Sequence, residues 1–277
     1  MNWRTKLVLV LLSMHLSALS YAANELRVVY SYNEALIGVL MSGFSQEQKV
    51  AVKAEHLNVD DMKTKLLSMM ELSPPDVIIL PSDQVGLYSF ANYSEIDPKI
   101  FKAKIPDNIL KCGISDGKLY GAPLIQGNHL FLYYNKALVD VPARDWQTLA
   151  AQKSKFDAQN VSTIAWPYNE PYYLLPFMSA YGGWPLVDNN IQLNTPAAID
   201  ALKFYRDTRK IIHSPVCDLA CTEILFKSGK LAYAIGGTWD INDFARSLGD
   251  KLGVSDIPKI GDKKLASPFS TYVVAFP

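Results

Sequence analysis

The residues of this sequence that could do chemistry are a few acids, amides and aromatic rings in short segments. Asp83, Asn128 and Glu170 could exchange hydrogen bonds with a polar ligand. Tyr172 and Trp239 could offer flat apolar faces. A sugar presents hydroxyl groups that pair with planar donors and acceptors, and C–H faces that pack on aromatic rings. These residue types therefore suit the binding of a carbohydrate.

Each of these side chains also has a plain structural alternative. Asp83 could cap a helix. Glu170 could stabilise the dipole at a helix N-terminus. Tyr172 and Trp239 could pack in a hydrophobic core, which on composition alone is the more common role of aromatic side chains.

Several motifs of common catalytic sites are absent from the sequence. It has no phosphate-binding loop, no Gly-x-Gly-x-x-Gly and no His-Glu-x-x-His. Ser115 and Lys118 fit the Ser-x-x-Lys pattern of penicillin-recognising enzymes, but a glycine between them favours a turn over the helix that this motif needs. Paired carboxylates for glycoside hydrolysis stay open, since Asp83, Glu170 and Asp240 could meet in a cleft. No local pattern singles out two of these acids.

The amino-terminal segment has the pattern of a secretory signal peptide. Arg4 and Lys6 precede a short apolar core over Leu7–Leu19, and small residues up to Ala22 suit a signal peptidase. We expect a signal peptide over residues 1–22 and a soluble product exported to a bacterial periplasm. A membrane anchor is the alternative, but the apolar run is short for a bilayer span and contains polar residues.

Composition predicts a globular protein with more than one domain. The 277 residues are 49% hydrophobic, which is enough apolar surface for two modest cores. Its 27 basic and 27 acidic residues give a formal charge of zero. Without a broad positive field, we expect no nucleic-acid partner and no membrane-surface partner.

Two of the three cysteines are close in sequence. In an oxidising compartment, Cys217 and Cys221 could close a small local disulfide and leave Cys112 unpaired and buried. Two free thiols are the alternative. The spacing is not that of a zinc ribbon and no histidine lies beside the pair, so we expect no metal site and no cofactor.

The first part of the mature chain alternates strands and helices. Strands are predicted over 26–30, 50–56 and 76–80, and helices over 34–44 and from residue 60. The first helix has an apolar stripe of Leu36, Ile37, Leu40 and Phe44. Asp60 or Asp61 could cap the second helix, and Ser73 with the two prolines after it ends that helix. This alternation predicts a parallel sheet with helices on both faces.

A second set of elements begins near residue 130. Strands are predicted over 131–134 and 161–165, within 228–237, and over 268–276. Helices are predicted after Asp145, over 170–181, from Pro196 towards Ile212, and around Trp239 and Phe244. Thr195 could cap the helix that Pro196 opens. Because the last strand would leave a sheet edge uncovered, we expect the sequence to be a fragment.

Several short motifs follow one another in a fixed order along the chain. They are a Pro-Asp strand over 75–83, the segments 117–123 and 121–136, Glu170-Pro-Tyr172, and Gly236-Gly-Thr-Trp-Asp240. In order and spacing, the sequence from Leu26 to Pro277 resembles bacterial extracellular solute-binding proteins of the maltose-binding type.

This resemblance implies a two-lobe α/β fold, the type II periplasmic binding protein fold, in which each lobe is a mainly parallel sheet flanked by helices and the ligand cleft lies between the lobes. Lobe 1 would comprise residues 23–126 and 267–277. Lobe 2 would comprise 127–266, incomplete because the chain ends early. Gly127 would serve as a hinge, since glycine can absorb a large dihedral change.

The resemblance also implies a ligand site and no catalytic residues, so we expect the protein not to be an enzyme. The implied ligand-binding residues are Asn33, Glu34, Asp83, Asn128, Glu170, Tyr172 and Trp239. Five positions depart from the maltodextrin pattern: Asn33-Glu34 stands for an Asp-Lys pair, Leu80 for a Trp, Gln84 for an Arg and Asn128 for a Glu. The resemblance therefore predicts the fold more firmly than it predicts a sugar ligand. A smaller polyol or a polyamine is an alternative ligand.

The expected function is that of a periplasmic solute-binding protein. It would capture a sugar or oligosaccharide by inter-lobe closure and deliver it, as a monomer, to the permease of an inner-membrane ABC transporter. The alternatives are the ligand-sensing periplasmic domain of a signalling receptor and a carbohydrate-active hydrolase.

Overall fold

A computed structural model gives the structure of residues 25–32, 35–187 and 190–277. The predicted signal peptide and the candidate residues Asn33 and Glu34 lie outside the described residues. The strands are β1 (Glu25–Tyr30), β2 (Ala51–His56), β3 (Val77–Pro81), β4 (Ile114–Ser115), β5 (Lys118–Leu119), β6 (Ala122–Gly127), β7 (Leu130–Asn135), β8 (Ser162–Ala165), β9 (Leu186–Val187), β10 (Asn190–Ile191), β11 (Leu231–Gly237), β12 (Leu252–Ser255) and β13 (Ser270–Ala275).

Helices of varied length separate these strands. The α-helices are α1 (Ala35–Gln48), α2 (Val59–Leu72), α3 (Asp107–Leu110), α4 (Trp146–Ala151), α5 (Lys153–Asp157), α6 (Leu175–Ala180), α7 (Pro196–Asp207), α8 (Leu219–Lys227) and α9 (Ile241–Leu248). Short 3₁₀ helices lie at Ser82–Leu87, Pro98–Ile100, Lys111–Gly113, Pro171–Leu174, Thr208–Lys210, Thr238–Asp240 and Gly249–Lys251.

The described chain divides into two compact units. Unit 1 comprises the described residues up to Gln126 together with Ser270–Pro277, and unit 2 comprises Gly127–Phe269. Each unit has its own sheet and its own buried core.

The sheet of unit 1 has the strand order β2-β1-β3-β13-β6. As predicted, β1 pairs in parallel with β2 and β3, whereas the late strand β13 pairs antiparallel with β3. Neighbouring residues of a strand point to opposite faces. Val29 thus packs in a cluster with Met62 of α2, and Val28 packs in a cluster with Ile37 of α1. Helices therefore cover both faces of this sheet.

Two details of the helices in unit 1 differ from prediction. Asn58, rather than Asp60 or Asp61, caps α2, because its side chain accepts a hydrogen bond from the backbone N–H of Asp61. Within α1, Ile37 is buried and Met41 packs beside it, so these two form the face towards the sheet. The other members of the predicted stripe, Leu36, Leu40 and Phe44, are exposed.

The sheet of unit 2 has the strand order β12-β7-β11-β8. β7 pairs antiparallel with both β12 and β11, and only β11 and β8 are parallel. The expectation of a mainly parallel sheet is therefore wrong for this unit, although the α/β fold class holds. Alternation of strands and helices predicts layers, but it does not determine which strands become neighbours.

Helices also cover both faces of the second sheet. One cluster packs Trp146, Phe177 and Tyr205 against the sheet, and another packs Phe226 and Phe244 against it. Asp145 and Thr195 cap α4 and α7 as predicted, each by accepting a backbone N–H three residues further on.

The helix predicted over residues 170–181 is instead two short pieces. The chain forms a 3₁₀ helix over Pro171–Leu174 and then α6, which begins at Leu175. Pro176 is at the start of α6, and a proline cannot donate the backbone hydrogen bond that would continue a preceding helix. The break places Tyr172 in a tight turn.

Cys217 and Cys221 are joined by a disulfide that spans the start of α8, with Cα atoms 5.3 Å apart. Asp218, between the two cysteines, caps α8 by accepting the backbone N–H of Cys221 at 2.9 Å. Cys112 is a free thiol and is half-buried rather than fully buried.

Candidate functional site

The candidate residues of unit 2 converge on the segment between β6 and β7. Asn128 follows β6 with a φ of 61°, a left-handed conformation that asparagine tolerates better than most residues. Its backbone N–H donates to the hydroxyl oxygen of Thr238 at 3.0 Å, and the N–H of Thr238 donates to the carbonyl oxygen of His129 at 3.0 Å. These two bonds tie the segment to the turn that follows β11.

Tyr172 is attached to the same segment. Its hydroxyl donates a hydrogen bond of 2.5 Å to the carbonyl oxygen of Asn128. Its ring lies beside that of Trp239, with centroids 6.2 Å apart and planes inclined at 54°. Both rings are partly exposed rather than fully buried. The structure therefore brings Asn128, Tyr172 and Trp239 together.

Gly236 and Gly237 allow the side chains of Asp240 and Trp239 to lie close to the backbone. A Cβ on Gly237 would lie 2.3 Å from three carbon atoms of the Trp239 ring, so the indole lies directly against this glycine. A Cβ on Gly236 would lie 2.5 Å from Oδ2 of Asp240. The carbonyl oxygen of Gly237 accepts a 2.6 Å hydrogen bond from the Tyr133 hydroxyl. Burial raises the pKa of Tyr133, so this hydroxyl stays protonated and donates at neutral pH.

Asp240 ends this turn with a buried carboxyl group. The residue is 3% exposed, and its Oδ2 accepts the backbone N–H of Gly237 at 2.9 Å. Burial raises the pKa of Asp240 to about 7, although the bond from Gly237 acts in the opposite direction. Its carboxyl group is engaged in holding the turn, which does not favour the role of an exposed acid in glycoside hydrolysis.

Glu170 lies at the start of the turn that carries Tyr172. Its side chain is exposed and makes no capping hydrogen bond to the 3₁₀ helix that it precedes. Within the described parts of the chain, its carboxylate has no hydrogen-bond partner. Glu170 is nevertheless at the N-terminus of this helix, which fits the alternative of a stabilised helix dipole, and its exposed carboxylate is open to solvent.

Gly127 is the last residue of β6, and the boundary between the two units falls immediately before it. Its φ is not in the left-handed region, which the next residue, Asn128, occupies instead. A Cβ at Gly127 would meet Thr238 Oγ1 at 3.5 Å, an ordinary contact. Packing does not demand glycine here, and the hinge role stays a prediction.

Asp83 belongs to unit 1, in the 3₁₀ helix that follows β3. It is exposed, and the N-cap of this helix is Pro81, so Asp83 is not the helix cap of the structural alternative. Its neighbour Gln84 is 2% exposed, and neither the oxygen nor the nitrogen of its amide has a hydrogen-bond partner among the described residues. A buried amide without partners is costly unless water or a ligand satisfies it.

Two further buried hydroxyls lie at the same end of the sheet. Ser31 follows β1 and Thr271 is in β13, and neither side-chain oxygen has a partner in the described chain. The backbone N–H of Ser31 donates to the carbonyl of Ile79 in β3, and that of Thr271 donates to the hydroxyl oxygen of Ser82 just beyond β3. Sequence reasoning missed the burial of Gln84, Ser31 and Thr271, because it depends on packing between strands that are distant in sequence.

The described residues contain no group of histidine, cysteine and acidic side chains that could hold a metal ion. They also contain no helix with the length and apolar character needed to cross a membrane.

The chain has two α/β units, and partly exposed aromatic and polar side chains lie at the ends of their strands. These are features of a two-lobe solute-binding protein. The family model of bacterial extracellular solute-binding proteins matches residues 40–275, and this chain belongs to that family. The family has the two-lobe type II fold, which confirms the predicted fold class. Its members, like the relatives described next, are binding proteins rather than enzymes.

Three curated relatives illustrate the similarity. A galactooligosaccharide-binding protein of Bacillus subtilis (strain 168) is 26% identical over 91% of this chain and 64% of its own length. The maltodextrin-binding protein MdxE of the same organism is 26% identical over 82% of this chain and 58% of its own length. A maltooligosaccharide ABC transporter solute-binding lipoprotein of Streptococcus pneumoniae (strain ATCC BAA-255 / R6) is 28% identical over 70% of this chain and 49% of its own length. The chain spans about half to two thirds of these relatives.

Proposed function

We propose that this protein is a periplasmic solute-binding protein that captures a sugar or oligosaccharide by inter-lobe closure and delivers it to an ABC importer. The observation that carries the proposal is the pairing of two partly exposed aromatic rings, Tyr172 and Trp239, on a hydrogen-bonded frame. Aromatic faces of this kind pack well on the C–H faces of a sugar. The family and the names of the three relatives support the same ligand class.

The polar contacts of the proposed site would come from acids and amides. Glu170, exposed and without a hydrogen-bond partner in the described chain, would accept from sugar hydroxyls. In unit 1, Asp83 would do the same, and ordered water would satisfy the buried, unpaired amide of Gln84. Asn33 and Glu34 keep their proposed ligand role from the sequence. Gly127 is proposed as the hinge.

A screen of ligands by thermal shift tests this function. A ligand that binds only the folded protein raises its melting temperature by mass action. We expect maltodextrins or galactooligosaccharides to raise the melting temperature of the mature protein, and spermidine and single amino acids to leave it unchanged. A rise with spermidine alone would contradict the sugar proposal and favour a polyamine site.

Export to the periplasm is the second part of the proposal. It is supported by the signal-peptide pattern of residues 1–22 and by the extracellular character of the family. The expected result in a bacterial host is a processed protein in the osmotic-shock fraction, with a mature N-terminus at Ala23. Size-exclusion chromatography with light scattering tests the expected monomer.

A further inference from the structure

The turn that carries Trp239 is fixed through both polar groups of the peptide at Gly237. Its N–H donates to Asp240 Oδ2 at 2.9 Å, and its carbonyl accepts from the Tyr133 hydroxyl at 2.6 Å. The indole of Trp239 lies against the Cα of the same glycine. A change at the Asp240 carboxyl group therefore acts directly on the backbone that supports the aromatic face.

The Asp240 carboxyl group also fits tightly into its place. It lies where a side chain on Gly236 would be, since a Cβ there would approach Oδ2 to 2.5 Å. Asp240 is the only charged residue that is almost fully buried among the described residues. Perturbed, buried titratable groups beside a binding surface are candidates for functional roles.

Charged and phenolic groups from every neighbouring element act on this carboxyl group. Glu223 and Lys227 belong to α8, and Asp243 belongs to α9. The ammonium of Lys227 is already bonded to Glu223 at 3.3 Å and to Asp243 at 3.1 Å, so it is shared between two other carboxylates. Tyr133 of β7 and Tyr173 of the 171–174 turn are buried phenols that interact electrostatically with Asp240. Burial dominates this balance and raises the pKa of Asp240 to about 7.

We propose that Asp240 is a positioning residue that fixes Trp239 for the solute, and that the protonation of its carboxyl group regulates solute affinity. In the ionised state, Oδ2 accepts a charge-assisted hydrogen bond from Gly237, which holds the turn and the indole in place. In the protonated state the same bond is between neutral groups and is weaker, so the turn loosens. This inference rests on the proposed function, because it assigns a regulator to the same site.

The first test does not need a ligand. In mature protein labelled with [15N]tryptophan, the indole N–H signal of Trp239 is assigned with Trp239→Phe and followed from pH 5.5 to pH 8.5. We expect the signal to titrate with a midpoint near the pKa of Asp240, about 7, and to lose this titration in Asp240→Asn. Asp243→Asn, at a partly exposed carboxylate, is the matched control. It should keep the titration, because Asp243 has no hydrogen bond to Gly237, but at a lower midpoint, because the charge of Asp243 contributes to the raised pKa of Asp240. An unchanged titration in Asp240→Asn overturns the proposal.

The second test measures solute affinity by calorimetry, with maltotriose and with galactobiose as probes, at pH 5.5, 7.0 and 8.5. We expect the wild-type protein to bind about fivefold more weakly at pH 5.5 than at pH 8.5, the difference between a charged and a neutral hydrogen bond. Asp240→Asn should bind at every pH as weakly as the wild type does at pH 5.5. Wild-type affinity that does not change with pH overturns the proposal.

The two tests distinguish a failure of the proposed role of Asp240 from a failure of the proposed sugar binding. If neither sugar binds to the wild type, the sugar proposal fails, and the indole titration alone decides whether Asp240 positions Trp239. If Asp240→Asn does not fold, as judged by circular dichroism, Gly236→Ala takes its place. Its methyl group would displace the carboxyl group, and the indole titration should again be lost.

Discussion

The hydroxyl of Tyr172 donates a 2.5 Å hydrogen bond to the main-chain carbonyl oxygen of Asn128. One end of this bond is a ring of the proposed sugar platform, and the other is the first residue after the predicted hinge, Gly127. The aromatic face is thus fixed to the backbone at the point where lobe closure would change dihedral angles. We infer that ligand contact and the conformation of this segment are coupled.

Removing only the Tyr172 hydroxyl should test this coupling. In Tyr172→Phe the ring remains but the bond to Asn128 is lost, which costs on the order of 1 kcal/mol and weakens sugar affinity about fivefold. Calorimetry gives the affinity and urea denaturation gives the stability. Tyr134→Phe is the matched control, because its hydroxyl has no hydrogen bond in the described structure, and it should leave affinity unchanged. An equal loss in both variants would argue against a specific role for Tyr172.

Truncation of the indole should weaken binding without unfolding the protein. Trp239 is partly exposed, so Trp239→Ala removes the proposed ligand-facing surface, which we expect to contribute about 1–3 kcal/mol of binding free energy. Trp184→Ala is the control, since Trp184 is 37% exposed and lies outside the proposed site. Titration calorimetry that finds the same affinity in Trp239→Ala as in the wild type would remove Trp239 from the site.

Asp240 should make the stability of the protein depend on pH. Its pKa is raised to about 7 in the folded state, so between about pH 4 and pH 7 the folded protein holds a proton that the unfolded chain has released. The free energy of unfolding contributed by Asp240 therefore falls as pH rises through this window, by up to about 4 kcal/mol. Asp240→Asn lacks this titration, and its stability relative to the wild type should increase from pH 4 to pH 8.

In the same experiment, Asp243→Asn should change the pH dependence of stability in the opposite direction. Its pKa is lowered chiefly by a hydrogen bond from Arg246, with a second from Lys227, so its ionised form stabilises the fold. This contribution is present at neutral pH and is lost as pH falls below the ordinary range of an aspartate. Asp243→Asn should thus be less stable than the wild type at pH 7 and equal to it at low pH. Parallel pH profiles for the two variants would contradict the assigned environments.

The disulfide should contribute a moderate part of the stability. Cys217 and Cys221 are four residues apart, and closing so small a loop stabilises by about 2 kcal/mol in the chain-entropy description. The double variant Cys217→Ser/Cys221→Ser should therefore show a lower urea midpoint, and a reducing agent should lower the wild-type midpoint equally. Cys112→Ser, at the free thiol, is the control. A midpoint that does not respond to the reducing agent would contradict a disulfide in solution.

Local chemistry in the sequence predicted much of the fold. The apolar runs of the sequence match β1, β3 and β7 to within about a residue, because a buried strand needs an uninterrupted apolar segment. The caps Asp145 and Thr195 were also predicted, since a cap is satisfied by backbone groups of its own helix.

Features that depend on contacts between residues far apart in sequence could not be predicted from local patterns. The antiparallel pairing of β7 and β11 joins strands about a hundred residues apart, and no local pattern fixes it. The burial of Gln84 and of Asp240 is likewise set by packing from other elements. The role of Tyr172 and Trp239 as surfaces for a ligand stays a prediction from the sequence, whereas the unpaired amide of Gln84 beside Asp83 is found only in the structure.

The most direct measurement is a calorimetric titration of the mature protein with maltotriose and galactobiose, with spermidine as the control solute. The account predicts saturable binding of at least one sugar in a one-to-one complex, with no heat from spermidine. It further predicts that the affinity falls at least about fivefold in Trp239→Ala, while Trp184→Ala binds normally. Saturable binding of spermidine with no response to either sugar would contradict the central claim that this protein is a carbohydrate receptor.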